Sequence, residues 1–258
     1  MTTFEYFEAD HTYAIDGRPA PGVNHELGLA GLLDGMIAPE DILDRGRRVH
    51  LAVELYLTLE VLKLRPHLTE EEFDWYKWFR EKSEDYGYLK SFVAAMATGR
   101  MRVMHTELLV GNKELHYCTQ IDQVGTFDDQ PACFNTKTGE RYPHYPIQMA
   151  GEALCLGEPT PLRVGVYLNA DGSFDPATQF VVYDDPRDFD VWRWACGISD
   201  FKTRNGIGFR TKRRKPAGDA KAQFPWEQQL KMAPEGSGIF NANFMSSPPR
   251  TGSDELFG

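Results

Sequence analysis

Thr119-Gln-Ile-Asp-Gln-Val-Gly125 and Ala132-Cys-Phe-Asn-Thr-Lys-Thr-Gly139 are the two runs on which the reading of this chain turns. They fall in two β-type stretches, Tyr117 to Thr126 and Gln130 to Thr136, joined by Asp128-Asp129, a pair suited to a tight hairpin. Residues two apart on a strand face the same side. Asn135 and Lys137 therefore point together, away from Phe134 and Thr136, and in a hairpin Asp122 sits across from them. Oxygen ligands beside an ammonium group are what metal-assisted hydrolysis of a phosphodiester needs. Carboxylates hold Mg²⁺, the ion stabilises charge on the phosphate, and a lysine orients or activates the attacking water.

Upstream, Met101 to Val110 alternates as a strand. Before it the texture is helical. Ile42, Leu43, Val49, Val53, Tyr56, Leu57 and Leu59 recur at helical spacing between Pro39 and Leu64, and Pro66 closes that helix. Thr69-Glu-Glu-Glu72 is a capping box opening a helix that carries Phe73, Trp75, Tyr76, Trp78 and Phe79, aromatics expected in the core. A further helix runs from about Tyr88 to Ala97 and ends at Gly99. At the N-terminus, Tyr13-Ala-Ile-Asp-Gly-Arg-Pro19 reads as a strand broken by a turn at Asp16 and Gly17.

Downstream come a helix from about Tyr145 to Leu156, a strand Arg163 to Leu168, a turn Asn169 to Gly172, a strand Gln179 to Tyr183, and a helix from Pro186 to Lys202. This order predicts a mixed α/β (α+β) domain over residues 1–201, with a helical N-terminal lobe. Residues 202–258 form a basic, then Gly/Pro/Ser-rich extension, expected to be partly disordered or loosely docked.

The 258 residues are 41% apolar and 26% charged, ordinary globular composition. No apolar run approaches the roughly 20 residues that span a bilayer. The acidic start, Met1-Thr-Thr-Phe-Glu5, has no basic leader. The expectation is a cytoplasmic protein with no membrane partner. Cys118, Cys133, Cys155 and Cys196 form no CxxC pair and read as small buried hydrophobes rather than as zinc ligands or disulfides. The net charge of −10 is uneven. Residues 1–201 carry 18 basic and 33 acidic side chains, residues 202–258 carry 10 and 5. Lys202, Arg204, Arg210, Lys212, Arg213, Arg214 and Lys215 form an acid-free basic run suited to phosphates, with Phe209, Phe224 and Trp226 interleaved near it. The terminal Ser253-Asp-Glu-Leu-Phe-Gly258 reads as a frayed end.

Four features in order resemble the PD-(D/E)XK nuclease superfamily, and within it the RecB-like, phage-type exonuclease branch. Gly46 to His50 resembles the GxxxH signature of an N-terminal helix. Gln120-Ile-Asp122 resembles the motif whose Asp binds metal, Asn135-Thr-Lys137-Thr-Gly139 resembles D-x-K-T-G, and Gln148 resembles the glutamine that opens the next helix motif. Glu107 stands on the preceding strand, where relatives often carry an acid, and Tyr13 to Pro19 resembles the N-terminal turn of phage members. The match covers roughly residues 10–200.

The resemblance implies a restriction-endonuclease-like core, a mixed central sheet flanked by helices. It implies a Mg²⁺-dependent deoxyribonuclease (Mn²⁺ as alternative), an exonuclease before an endonuclease, acting on double-stranded ends or single-stranded DNA in recombination or processing. A recombination partner protein and a homo-oligomer are compatible with it, as is a host-cytoplasmic location for a phage product. His50, Asp122, Asn135 and Glu107 would face the metal. Asp122, Asn135, Lys137, Gln148 and Glu152 would carry the chemistry.

The departure is Asn135, where the family carries Asp or Glu. Three explanations stand open. Asn135 is a near-isosteric replacement that knocks out a natural Asp, or the carboxylate has migrated, or the chain binds nucleic acid without cutting it. Glu152 fits a migrated acid, being at i+4 from Gln148 on one helix face, and Glu54, at i+4 from His50, is a weaker candidate.

Overall fold

The computed structural model describes residues 2–7, 12–33, 39–64 and 68–207. Two sheets organise them. Strands β1 (Phe4–Phe7), β2 (Thr12–Ile15) and β3 (Arg18–Ala20) form a small antiparallel sheet. Its β2–β3 turn has both central residues left-handed (Asp16 φ 50°, Gly17 φ 73°), the backbone a two-residue hairpin requires. The large sheet has the order β4 (Met101–Asn112), β5 (Tyr117–Phe127), β6 (Gln130–Lys137), β7 (Leu162–Tyr167), β8 (Phe180–Val182). Strands β4 to β6 are an antiparallel meander, β6 and β7 are parallel, and β8 is antiparallel at the edge. Asp128 and Asp129 both take positive φ, so the β5–β6 connection is the tight hairpin their chemistry suggested.

Helices cover both faces. On one lie α2 (Glu40–Tyr56), α3 (Glu70–Lys82) and α4 (Tyr86–Ala97), packed through Val53, Phe79 and Phe92 against Phe134, Val164 and Val166 of the sheet. On the other, α5 (Tyr145–Cys155) makes the β6–β7 crossover and packs Met149 and Ala153 on Ile121 and Cys133. The helices α1 (Val23–Ala30) and α7 (Arg187–Arg204) pack around α5, with Trp192 fully buried. A short α6 (Pro176–Gln179) precedes β8. The fold is thus mixed α/β, a five-stranded sheet flanked by helices. No helix among the described residues is long and apolar enough to cross a membrane.

The structure corrects several local expectations. Helix α2 ends at Tyr56 and continues as a π-helical turn, Leu57–Val61, rather than running as one helix to Leu64. Its buried face begins at Val49, which leaves Ile42 and Leu43 exposed. On α3 the Thr69–Glu72 capping box is present in full, but only Trp75, Tyr76 and Phe79 are buried. Phe73 and Trp78 lie on its outer side and are exposed. Helix α4 starts at Tyr86. Its N-cap, Asp85, makes no side-chain cap, and its carboxylate pairs instead with Arg48 at 2.6 Å, a largely buried ion pair that ties α2 to α4. Cys118, Cys133 and Cys196 are buried and Cys155 partly so, all four as free thiols. Strand β1, α1 and α6 carried no clear sequence signal. Pro66, Phe209, Phe224, Trp226 and residues 253–258 lie outside the described residues.

Candidate metal centre

The site begins where β5 and β6 part. Their backbone pairing ends at Gln123–Phe134, so the amide of Thr136 has no strand partner on that side. The Asp122 carboxylate replaces it, accepting the Thr136 N–H at 2.8 Å, and the buried Thr136 hydroxyl donates to Gln123 Oε1 at 3.1 Å. A buried amide must find an acceptor somewhere. Here it fixes a carboxylate at the mouth of a gap between two strands.

Two other elements bring ligand atoms to that carboxylate. His50, from the third turn of α2, places Nδ1 3.5 Å from Asp122 Oδ2. Glu107, on β4, stands level with Asp122 between the Thr106–Gln123 and Leu108–Ile121 pairs. Its φ of 48° is a left-handed turn inside a strand, a conformation costly for a residue with a Cβ and one that clusters at functional sites. One ligand atom from each of His50, Glu107 and Asp122 lies within 4.8 Å of the others. Burial pushes the Glu107 carboxyl well above its usual range, and Asp122, Glu54 and Glu152 push it further. Carboxyls crowded in this way favour a proton or a cation between them.

A second group lies across the gap, toward α5. Glu152, almost fully buried, accepts from Gln148 Nε2 at 2.8 Å and from Asn135 Nδ2 at 3.2 Å. Burial and the Asp122 charge raise its pKa to about 7, against the pull of Lys137, Gln148 and Asn135. Asn135 Oδ1 is buried and has no hydrogen-bond partner among the described residues. Lys137, next but one on β6, lays its ammonium over the Tyr145 ring at 4.1 Å. Desolvation lowers its pKa, while Asp122 and Glu152 work the other way. The fields of Asp122 and Glu152 therefore reach the same lysine.

No family model matches this chain, and no curated protein matches it. What the arrangement can do must be read from its own residues.

The structure gathers His50, Glu107 and Asp122 into one cluster, and Asn135, Gln148 and Glu152 into another, and one acid of each, Asp122 and Glu152, acts electrostatically on Lys137. Asn135 spends its amide nitrogen on Glu152, and Glu152 stands outside the three-residue cluster. Of the basic run, Lys202 donates to the Leu29 carbonyl, clamping α7 to α1, and Arg204 pairs with Asp200 at 2.8 Å. Arg210, Lys212, Arg213, Arg214 and Lys215 lie outside the described residues. Sequence reasoning missed three participants. Thr136 and Gln123 stitch the parted strands, and Tyr145 shelters Lys137. The signal for Tyr145 was its position at the N-terminus of α5, one turn before Gln148. Arg45, beside the GxxxH run, also reaches the site's rim by donating to the Thr138 carbonyl at 3.2 Å.

Proposed function

We propose that this chain is a divalent-metal-dependent DNA nuclease of the PD-(D/E)XK kind, acting on ends. The observation that supports this most is the convergence of one imidazole and two carboxylates on one point, where one of the carboxylates, Asp122, also acts electrostatically on Lys137. One nitrogen and two oxygens suit Mg²⁺ or Mn²⁺, with the imidazole favouring Mn²⁺. His50, Glu107 and Asp122 would hold the ion, which would supply charge stabilisation at the phosphate. Asp122 is held for that task by the Thr136 amide. Lys137, its proton loosened by desolvation, orients or activates water at the phosphate. Gln148 keeps Glu152 turned toward β6, and Glu152 is the acid available where Asn135 carries none.

A second reading is a nucleic-acid-binding protein that no longer cuts. The observation favouring it is the closed Asn135–Glu152–Gln148 triad, which holds Glu152 in the interior, where burial and the Asp122 charge raise its pKa to about 7.

The test is a paired measurement on the full chain and on Asn135→Asp. Mn²⁺ binding is followed by calorimetry, and cutting is followed on linear and circular DNA. The first reading expects Mn²⁺ affinity that rises with pH, because Glu107 must lose a proton to bind. It also expects cutting of linear DNA, at least by Asn135→Asp. Binding of DNA by both proteins with no cutting by either supports the second reading. Absence of any metal effect and of DNA binding removes both.

A further inference from the structure

Helix α7 turns one face inward and leaves a second apolar face outside. Trp192, Ala195, Cys196 and Ser199 are buried against α1 and α5. On the outer side Trp194 is 68% exposed, Ile198 44% and Phe201 55%. These three recur at i, i+4 and i+7, one continuous stripe. Gly197 sits within the stripe, and a Cβ built on it meets no atom within 4 Å. A neighbour can therefore approach the backbone closely at the middle of the face.

The ends of the stripe are charged with opposite sign. Asp190 lies one turn before Trp194, and Arg204 lies about one turn after Phe201. The midpoint of the Trp194–Phe201 pair falls between Gly197 and Ile198. At about 1.5 Å of rise per residue, Asp190 lies roughly 11 Å from it on one side and Arg204 roughly 10 Å on the other. A two-fold axis through that midpoint carries Trp194 onto Phe201 of a second copy and brings Asp190 to within one residue's rise of its Arg204. An isologous contact needs this self-complementarity. The present partners of both charges, Arg193 for Asp190 and Asp200 for Arg204, are exposed neighbours on the same helix, and such pairs exchange readily.

We propose that the outer face of α7 is a self-association surface, on which two copies of this chain pack their α7 helices antiparallel about an axis at Gly197–Ile198. This stands apart from the nuclease reading and does not depend on it. One helix crossing buries less than the roughly 800 Å² per partner of a standard interface, so the dimer is reversible and concentration-dependent.

The experiment is sedimentation velocity on the full chain across a wide concentration range, with circular dichroism to confirm that each variant is folded. A monomer–dimer equilibrium is expected, and Ile198→Glu abolishes it. Asp190→Arg and Arg204→Asp each weaken the dimer, by about fivefold for paired surface charges. The double reversal Asp190→Arg/Arg204→Asp restores it, a result only an antiparallel pairing gives. Gly197→Cys forms an intermolecular disulfide on oxidation that the parent chain does not form. A strictly monomeric chain overturns the proposal, and so does a dimer indifferent to Ile198→Glu. A monomer in which Ile198→Glu speeds hydrogen exchange in residues 208–258 overturns it too, and assigns the face to that segment.

Discussion

Glu152 accepts hydrogen bonds from two amides, and its carboxyl still titrates near neutrality. Its folded pKa of about 7 lies above the usual value of 4.5. Between those values the folded protein binds a proton that the unfolded chain has released. Its contribution to stability is therefore fully present below about pH 4.5 and is lost as pH rises through 7. At roughly 1.4 kcal/mol per unit this amounts to about 3 kcal/mol. Glu152→Gln removes the titration. Denaturant melts at pH 5 and pH 8 should show a stability difference in the parent chain that flattens in the variant. At this scale the sequence was informative. Asp122, Asn135 and Lys137 stood out through the two-residue period of a strand pair, whereas His50 and Gln148 stood out only through the resemblance of their runs to nuclease motifs. Glu107 was not fixed by any period, because its place depends on a left-handed backbone turn within β4. The bond from Asn135 to Glu152 joins residues 17 apart through two different elements, a relation no local pattern encodes.

Elements hold these residues through a few backbone approaches. Gly125 closes the Asp122 run, and a Cβ there would come 1.9 Å from the Arg102 carbonyl oxygen, beside the register shift between Val103 and His105. The neighbour is backbone and cannot swing aside. Gly125→Ala should cost about 3 kcal/mol in a denaturant melt, with the loss centred on the β4–β5 ladder that carries Glu107 and Asp122. Thr69→Ala, by contrast, removes one side of the capping box and leaves Glu72 without its hydroxyl partner. It should cost about 1 kcal/mol in the same melt and leave unchanged any Mn²⁺ affinity of the proposed site, as read by calorimetry. Most helices and strands of the large sheet were foreseeable from periodicity and turn chemistry. The exposed Phe73 and Trp78 show where that reasoning stops. An aromatic is a strong sign of burial only when its helix has neighbours on every side, and α3 is an outer helix. The small sheet was half visible through its Asp16–Gly17 turn, whereas α1 is a short helix with no side-chain N-cap to announce it.

Across the whole molecule, α5 is the element through which the layers communicate. Gly151 and Glu152 are consecutive. Glu152 reaches across to β6, while a Cβ on Gly151 would meet the Trp192 ring at 2.7 Å. Tyr117, edge-on to Trp192 at 4.9 Å, donates its hydroxyl to the Gly151 carbonyl at 2.7 Å. Gly151→Ala should therefore destabilise the chain by about 2 kcal/mol, and by displacing α5 it should weaken the Mn²⁺ binding proposed for the His50–Glu107–Asp122 cluster without touching those three residues. Adding Trp192→Phe, which frees space where the indole stood, should recover part of that loss, and a double-mutant cycle measures how much. The same contact has a consequence for descent. Positions 151 and 192 are not free to drift separately, since a larger residue at one requires a smaller residue at the other. A lineage that keeps the tryptophan should keep the glycine, and one that enlarges position 151 should carry a smaller residue at 192.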